Sequence, residues 1–435
     1  MRLPLLFVAL SLQCPPSSSL NFLIYNPMFG RSHVNFMSRL GDILYEAGHN
    51  VILLEPQIDP DTKPQGSRKP AIITVPRSKF VNEFVDEHFE KILNSVWTVK
   101  GFMEFMEDFK KMLFVMAQQC SATLDDKAMW TQLKGQTFDL AISEAFDNSI
   151  FHKLNIEKTA MAISASSVEG FGIVTGLPSF PSYVPGSISS LTEKMSFLER
   201  LENSMGVMAT PWFFSTMVAP ITHNASLFFV NSEPLIDFPR PTIHKLIDVG
   251  GVTVAGGPKP LNKTWSDMFD LRKKTVLLSF GTVARSYLMP ENYKKTIRET
   301  FRKFPDVTFI WKYEEPSHRI SEGIDNIVEA TFVPQNDMLI GSGIVLKKEM
   351  LDGTDELEKA LSAVLNDPGY GERARKTGQM LRDKPFDARE VFLKNAEFAA
   401  RYGPLRQLDH YGAKLNFFQC ILRCAIRPFR KQKTE

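Results

Sequence analysis

The chain has 435 residues, of which 43% are hydrophobic and 11% aromatic. This length exceeds one ordinary hydrophobic core, so we expect two domains in a well-buried globular chain, with disorder confined to the ends. The 51 basic residues nearly balance the 49 acidic residues. This balance argues against a nucleic-acid partner and favours a small molecule or another protein.

Residues 1–19 have the layout of a secretory signal peptide, with Arg2 before an apolar run and small residues up to Ser19. The alternative is a buried first strand. Acceptor sequons at Asn224 and Asn262 agree with entry into the secretory pathway.

Three cysteines follow the signal: Cys120, Cys420 and Cys424. They are too few for a disulfide framework, and no histidine or further cysteine near the last two would complete a zinc site. We therefore expect no bound metal.

The chain from 20 to 233 alternates strands and helices. Strand-like runs at 20–26 and 51–56 enclose a helical pattern whose apolar residues share one face, which predicts a βαβ unit with a parallel sheet. Further strands are predicted at 138–144, 159–164 and 226–232. A helical region at 80–130 carries an apolar stripe that indicates either core or the wall of an apolar ligand pocket. That stripe consists of Phe102, Met103, Phe105, Met106, Phe109, Met112, Leu113 and Met116.

A second alternating block, 261–402, follows a Pro- and Gly-rich linker at 234–260. Its predicted strands are 275–282, 307–314, 326–334 and 343–348, with helices between and after them. We therefore predict an α/β protein with two doubly wound, Rossmann-like domains that face each other across a cleft.

Residues 403–435 are predicted to form a C-terminal helix and a basic tail. The apolar run at 415–426 is too short to span a bilayer and is broken by Arg423. It fits a contact with a membrane surface and an ordinary amphipathic helix equally well.

Ligands of open α/β sheets bind beyond the carboxyl ends of the strands. His33 follows the first strand at the start of a helix, where a neutral imidazole could take a proton from a substrate hydroxyl. The helix N-terminus disfavours the charged imidazolium. Glu144 and Asp147 follow a strand of the same sheet, and either carboxylate could hold the tautomer of His33.

Two turns of the second domain are candidates for binding a nucleotide. After the strand at 275–282, Ser279, Gly281 and Thr282 could offer backbone N–H groups and hydroxyls to a phosphate. In the turn "FVPQND", Phe332 and Gln335 could meet a nucleobase with an aromatic face and an amide.

Several stretches, in order along nearly the whole chain, resemble the UDP-glycosyltransferases, and most closely the animal UDP-glucuronosyltransferases. They include "GRSHVNFMSRLGDILYEAGHNVILLEP", "FFVNSEPLIDFPRPTIHKLIDVGGV", "KTVLLSFGTVARSYLMP", "FVPQNDML" and "AEFAARYGPLRQLDHYGA". The resemblance implies a GT-B fold, whose N-terminal domain binds a small apolar acceptor. It implies that the C-terminal domain binds UDP-glucuronic acid or another UDP-sugar.

The same resemblance assigns roles to single residues. His33 matches the general base of the family. Glu144 stands at the position of its partner, which is commonly Asp, and Phe332 at the position of a uracil-stacking Trp. The end "KQKTE" resembles a dilysine retrieval signal, which implies the lumen or membrane of the endoplasmic reticulum.

The chain departs from the family after "VPQ". The Thr-His-Gly-Gly strand end, the diphosphate-binding helix and the sugar-binding Asp-Gln pair are missing from the sequence. Two strand–helix units, on the order of fifty residues, are absent near Ile340. We expect their loss to leave the C-terminal domain incomplete, with exposed sheet edges.

Three interpretations remain open. The chain is a transferase that uses His33 and Glu144, or a non-catalytic isoform that binds acceptor or forms oligomers with full-length relatives, or an incomplete gene model of an ordinary transferase. A hydrolase is disfavoured because the sequence has neither a Gly-x-Ser-x-Gly elbow nor a metal-ligand cluster.

Overall fold

The computed structural model describes residues 19–62, 69–98, 102–144, 149–165, 180–186, 189, 191–208, 225–254, 260–334 and 348–409. Seven strands form the first sheet, in the order β3-β2-β1-β4-β5-β6-β7, and every pair of adjacent strands is parallel. The strands are β1 Asn21–Tyr25, β2 Asn50–Pro56, β3 Ala71–Val75, β4 Leu140–Glu144, β5 Thr159–Ile163, β6 Ala225–Val230 and β7 Leu246–Asp248.

The predicted βαβ unit is confirmed. Helix α1, Arg31–Glu46, lies between β1 and β2 and turns its apolar residues toward the sheet. Gly41 lets this helix approach β2, because a Cβ there would lie 2.8 Å from Leu53 Cδ2. The core beneath α1 includes Phe36, Met37, Leu40, Ile43, Leu44, Leu53 and Ile142.

Four helices follow between β3 and β5: α2 Lys79–Thr98, α3 Phe102–Asp125, α4 Lys127–Leu133 and α5 Ser149–Lys153. A further helical stretch covers 197–208. Of the predicted stripe, Met112 and Met116 are buried in a cluster between α2 and α3. The side chains of four stripe residues lie outside the described part: Phe102, Met103, Phe105 and Met106.

The second sheet has three parallel strands in the order β10-β9-β8 among the residues that the structure describes. The fold class predicted from the sequence, α/β with two parallel sheets, is confirmed. The predicted strand at 343–348 and the junction near Ile340 lie almost wholly outside the described residues. The bounds of the strands are β8 Lys274–Leu278, β9 Val307–Lys312 and β10 Ile327–Ala330.

The helices of the second block are α6 Lys263–Phe269, α7 Glu291–Arg302, α8 Thr354–Asn366, α9 Pro368–Arg382 and α10 Ala388–Tyr402. Short 3-10 helices occur at Ser286–Leu288, Pro316–His318, Lys348–Asp352 and Arg406–Leu408.

Helix α10 returns to the first sheet. Its Phe392 is fully buried, and the ring centroid lies 4.8 Å from that of Phe229 on β6. His49 donates from Nε2 to Glu397 at 3.0 Å, since its Nδ1 accepts from the Leu20 amide at 3.3 Å. The predicted second domain, 261–402, thus includes a helix that packs on the first sheet, and its boundaries stay predictions.

Residues 1–18 of the predicted signal peptide and most of the C-terminal tail lie outside the described residues. Within the described ranges, no helix combines the length and the apolar character needed to cross a bilayer. No group of three or more metal-ligating side chains is found in the same ranges.

Candidate functional site

The loop after β1 places His33 at the mouth of the first sheet. Gly30 precedes helix α1 with φ +65°, a conformation that favours glycine. A Cβ on Gly30 would lie 3.1 Å from His33 Cδ2, so the glycine also makes room for the imidazole. His33 is the third residue of α1, as the sequence predicted.

Glu144 meets His33 because β4 is the neighbour of β1 and both strands end at the same edge. His33 Nδ1 lies 2.5 Å from Glu144 Oε1. A carboxylate can only accept a hydrogen bond, so Nδ1 carries the proton and Nε2 the lone pair. The Glu144 side chain is 3% exposed and that of His33 27%, which leaves the imidazole accessible to a substrate.

Ser164 is a third member of this group and was not predicted from the sequence. It follows β5, the next strand beyond β4. Its amide donates to Glu144 Oε1 at 3.3 Å, and its Oγ lies 2.6 Å from His33 Nδ1. Asn231 in turn donates to the Ser164 carbonyl at 2.9 Å. The edge rule that located Glu144 would also have located Ser164.

The carboxylate decides the proton affinity of His33. Burial lowers the pKa of His33, but the hydrogen bond and the negative charge of Glu144 raise it, and the net pKa lies above the ordinary 6.5. The net shift in the pKa of His33 is thus opposite to the shift that was expected from the helix N-terminus. Glu144 is positioned to stabilise the imidazolium that forms when His33 takes a proton. The other predicted carboxylate, Asp147, lies outside the described residues.

The predicted phosphate turn follows β8. Gly281 has φ +79°, and its N–H donates to Ser279 Oγ at 3.3 Å. Lys312 donates to the Gly281 carbonyl at 2.7 Å and so ties the turn to the end of β9. Thr282 lies in the same turn and is half-buried. The turn is thus a compact structure held by β9.

Phe332 is half exposed beyond the end of β10. The guanidinium carbon of Arg31 lies 4.7 Å from the centroid of its ring. Because Arg31 is two residues from His33, the carboxyl edges of the two sheets meet in one cleft. Gln335 lies outside the described residues.

Solved structures of glycosyltransferases share this architecture. A UDP-glucosyltransferase from Polygonum tinctorium superposes with a TM-score of 0.54 and 11% identity, over 88% of this chain and 99% of that one. The calicheamicin glycosyltransferase CalG4 gives 0.52 and 13%, over 89% and 100%. At these identities the likeness shows the fold, which is GT-B.

Relatives of known sequence match most of the chain. A Caenorhabditis elegans protein named as a UDP-glucuronosyltransferase, ugt-55, is 29% identical over 74% of this chain and 67% of its own length. UDP-glucosyltransferase 2 of Dactylopius coccus is 23% identical over 97% of this chain and 92% of its own.

One alignment contains many positions that have no residue in this chain. The Caenorhabditis briggsae protein ugt-47, also named as a UDP-glucuronosyltransferase, aligns over 504 positions with 95% of this chain, or about 413 residues. About 90 of the 504 positions therefore have no residue here.

The family model described as "UDP-glucoronosyl and UDP-glucosyl transferase" matches residues 23–342. The chain belongs to this family of UDP-glycosyltransferases.

Proposed function

We propose that this chain transfers a sugar from a UDP-sugar to a hydroxyl of a small apolar acceptor, with His33 as the general base. The contact between His33 Nδ1 and Glu144 Oε1, at 2.5 Å, carries the proposal. Membership of the family supports a UDP-sugar donor, and we propose UDP-glucuronic acid as that donor from the resemblance to the animal enzymes.

The reaction that this arrangement supports is an inverting displacement. His33 Nε2 takes the proton of the acceptor hydroxyl while the acceptor oxygen forms a bond to the anomeric carbon of the sugar. The bond from that carbon to the phosphate oxygen breaks, and UDP leaves with the electron pair. The Glu144 carboxylate stabilises the imidazolium that forms.

We would test this with purified full-length chain, 4-nitrophenol as a probe acceptor, and UDP-glucuronic acid or UDP-glucose, detecting the glycoside by mass spectrometry. His33→Ala should lower the rate about 10²-fold or more, the usual contribution of a general base. His152→Ala is the matched control, because His152 is exposed on α5. Equal rates for His33→Ala and the unmodified chain would contradict the proposal.

A second candidate is a non-catalytic protein that binds acceptor or associates with full-length relatives. The roughly 90 aligned positions without a residue here favour it. Calorimetric titration with UDP separates the two candidates, because only the transferase requires donor binding. A native transcript that encodes the absent strand–helix units near Ile340 would instead show an incomplete gene model.

We also propose that the chain enters the secretory pathway and resides in the endoplasmic reticulum, with membrane contact through its C-terminal tail. The signal-like N-terminus and the Asn262 sequon support this. Asn262 is exposed, and its Oδ1 accepts from the Trp265 amide at 3.1 Å. A glycosidase-sensitive mass shift that Asn262→Gln abolishes is the expected result.

A further inference from the structure

The buried face of helix α2 contacts both domains. The buried residues of this face recur every four positions: Val81, Val85, Phe89, Leu93 and Trp97. The first four belong to the apolar cluster between α2 and α3, whereas Trp97 belongs to the core of the second sheet. The last turn of α2 therefore inserts into the domain that carries the phosphate turn.

Trp97 makes two contacts in that domain. Its ring packs edge-on against Phe280, with 4.9 Å between the centroids and 80° between the planes. Its Nε1 donates to the Arg285 carbonyl at 2.9 Å. Phe280 and Arg285 flank the predicted phosphate-binding residues Gly281 and Thr282, so both ends of that turn touch Trp97.

Other contacts hold the same segment. Arg285 donates to Asp61, in the loop after β2, at 2.8 Å. The next residue, Ser286, donates from its hydroxyl to the Lys312 carbonyl at 2.7 Å and from its amide to Glu314 at 2.8 Å. The segment 280–286, which we call the donor loop, is thus held by the first domain on one side and by β9 on the other.

We propose that Trp97 is a positioning residue that holds the donor loop in the conformation that binds a nucleoside diphosphate. The inference rests on the proposed UDP-sugar donor. A loop that is ordered before binding avoids the entropy cost of becoming ordered on the ligand.

The test is calorimetric titration of the full chain with UDP. Trp97→Phe keeps an aromatic ring beside Phe280 and removes the indole N–H that donates to the Arg285 carbonyl. We expect UDP to bind about five- to tenfold more weakly, which is the effect of losing one hydrogen bond. Steady-state rates should show the same rise in KM for the UDP-sugar, with KM for 4-nitrophenol unchanged.

Trp130→Phe is the matched control. The Trp130 indole also donates to a backbone carbonyl, that of Leu124 at 2.8 Å, but it lies in the first domain. This variant should lose similar thermal stability and keep the UDP affinity. Asp61→Asn, at an exposed carboxylate, provides a second variant that does not threaten folding. It should weaken UDP binding by less than Trp97→Phe does.

Three results would overturn the inference. The unmodified chain does not bind UDP, Trp97→Phe binds UDP as tightly as the unmodified chain, or Trp130→Phe loses as much UDP affinity as Trp97→Phe. If Trp97→Phe keeps both transfer activity and UDP affinity, this inference is overturned while the proposed function stands. A chain that binds UDP in a Trp97-dependent manner but does not transfer sugar would support it while the proposed function fails.

Discussion

The proposed catalysis by His33 requires that the imidazole be neutral when the acceptor arrives. The Glu144 carboxylate raises the pKa of His33 above 6.5, so kcat/KM should fall as the pH drops through that raised value. In Glu144→Gln the pKa of His33 should fall, because burial then acts without the opposing charge. The acidic limb of the pH profile should move to lower pH, and the plateau rate should fall about 10–100-fold.

Glu144→Asp is the matched variant for that profile. It keeps the negative charge, so the acidic limb should stay close to that of the unmodified chain. A limb that moves equally in Asp and Gln variants would show that the charge of Glu144 does not set the pKa of His33.

Ser164 allows a finer test of the same group. Ser164→Ala removes the hydroxyl 2.6 Å from His33 Nδ1 and keeps the amide that donates to Glu144. We expect kcat to fall about three- to tenfold, the effect of one hydrogen bond, with the position of the acidic limb nearly unchanged. A loss as large as that of Glu144→Gln would mean that Ser164, rather than Glu144, fixes the imidazole.

The contact between His33 and Glu144 was expected from a general rule of parallel sheets, which offered both Glu144 and Asp147, and from the family resemblance, which selected Glu144. His33 follows β1, Glu144 is the last residue of β4, and the ends of adjacent strands meet. Ser164 obeys the same rule but was missed, since a serine after a strand carries no distinctive chemistry by itself. The direction of the pKa shift was not predictable, because burial, charge and hydrogen bonding oppose one another and depend on distances.

Among the elements, α10 shows what periodicity leaves undetermined. Its apolar residues predict a helix with one buried face, but they do not specify which sheet covers that face. The structure places Phe392 against Phe229 on the first sheet, while Phe398 is 49% exposed. Docking of a helix onto a sheet distant in sequence depends on tertiary packing rather than on local pattern.

Phe392→Ala should therefore destabilise the first domain rather than the second. Removing a fully buried phenylalanine costs about 3–5 kcal/mol in the free energy of unfolding. Phe398→Ala, on the exposed side of the same helix, should cost about 0.5 kcal/mol or less. Hydrogen exchange of β6 peptides in increasing urea measures the free energy of unfolding of each variant. Equal losses of that free energy in the two variants would show that α10 does not pack on this sheet.

At the scale of the whole molecule, the second sheet differs from the first. Strand β9 lies between two strands and is buried throughout, whereas the last four residues of β8, which include Val276 and Leu278, are only half-buried. Among the strands that the structure describes, β8 has a neighbour on one side only. In the strand order 3-2-1-4 of a doubly wound domain, further strand–helix units would pair with this edge, so their loss near Ile340 would leave it open.

An open edge has a measurable consequence. In a parallel ladder an edge strand leaves alternate N–H groups without a partner, so alternate amides of β8 should exchange hydrogen fast while those of β9 stay protected. Strand β1, which pairs on both sides with β2 and β4, is the internal control. Inserting the corresponding units of a full-length relative after Ile340 should protect β8 and tighten UDP binding. If β8 stays unprotected in that chimaera, the open edge has another cause, and the interpretation of a missing segment is wrong.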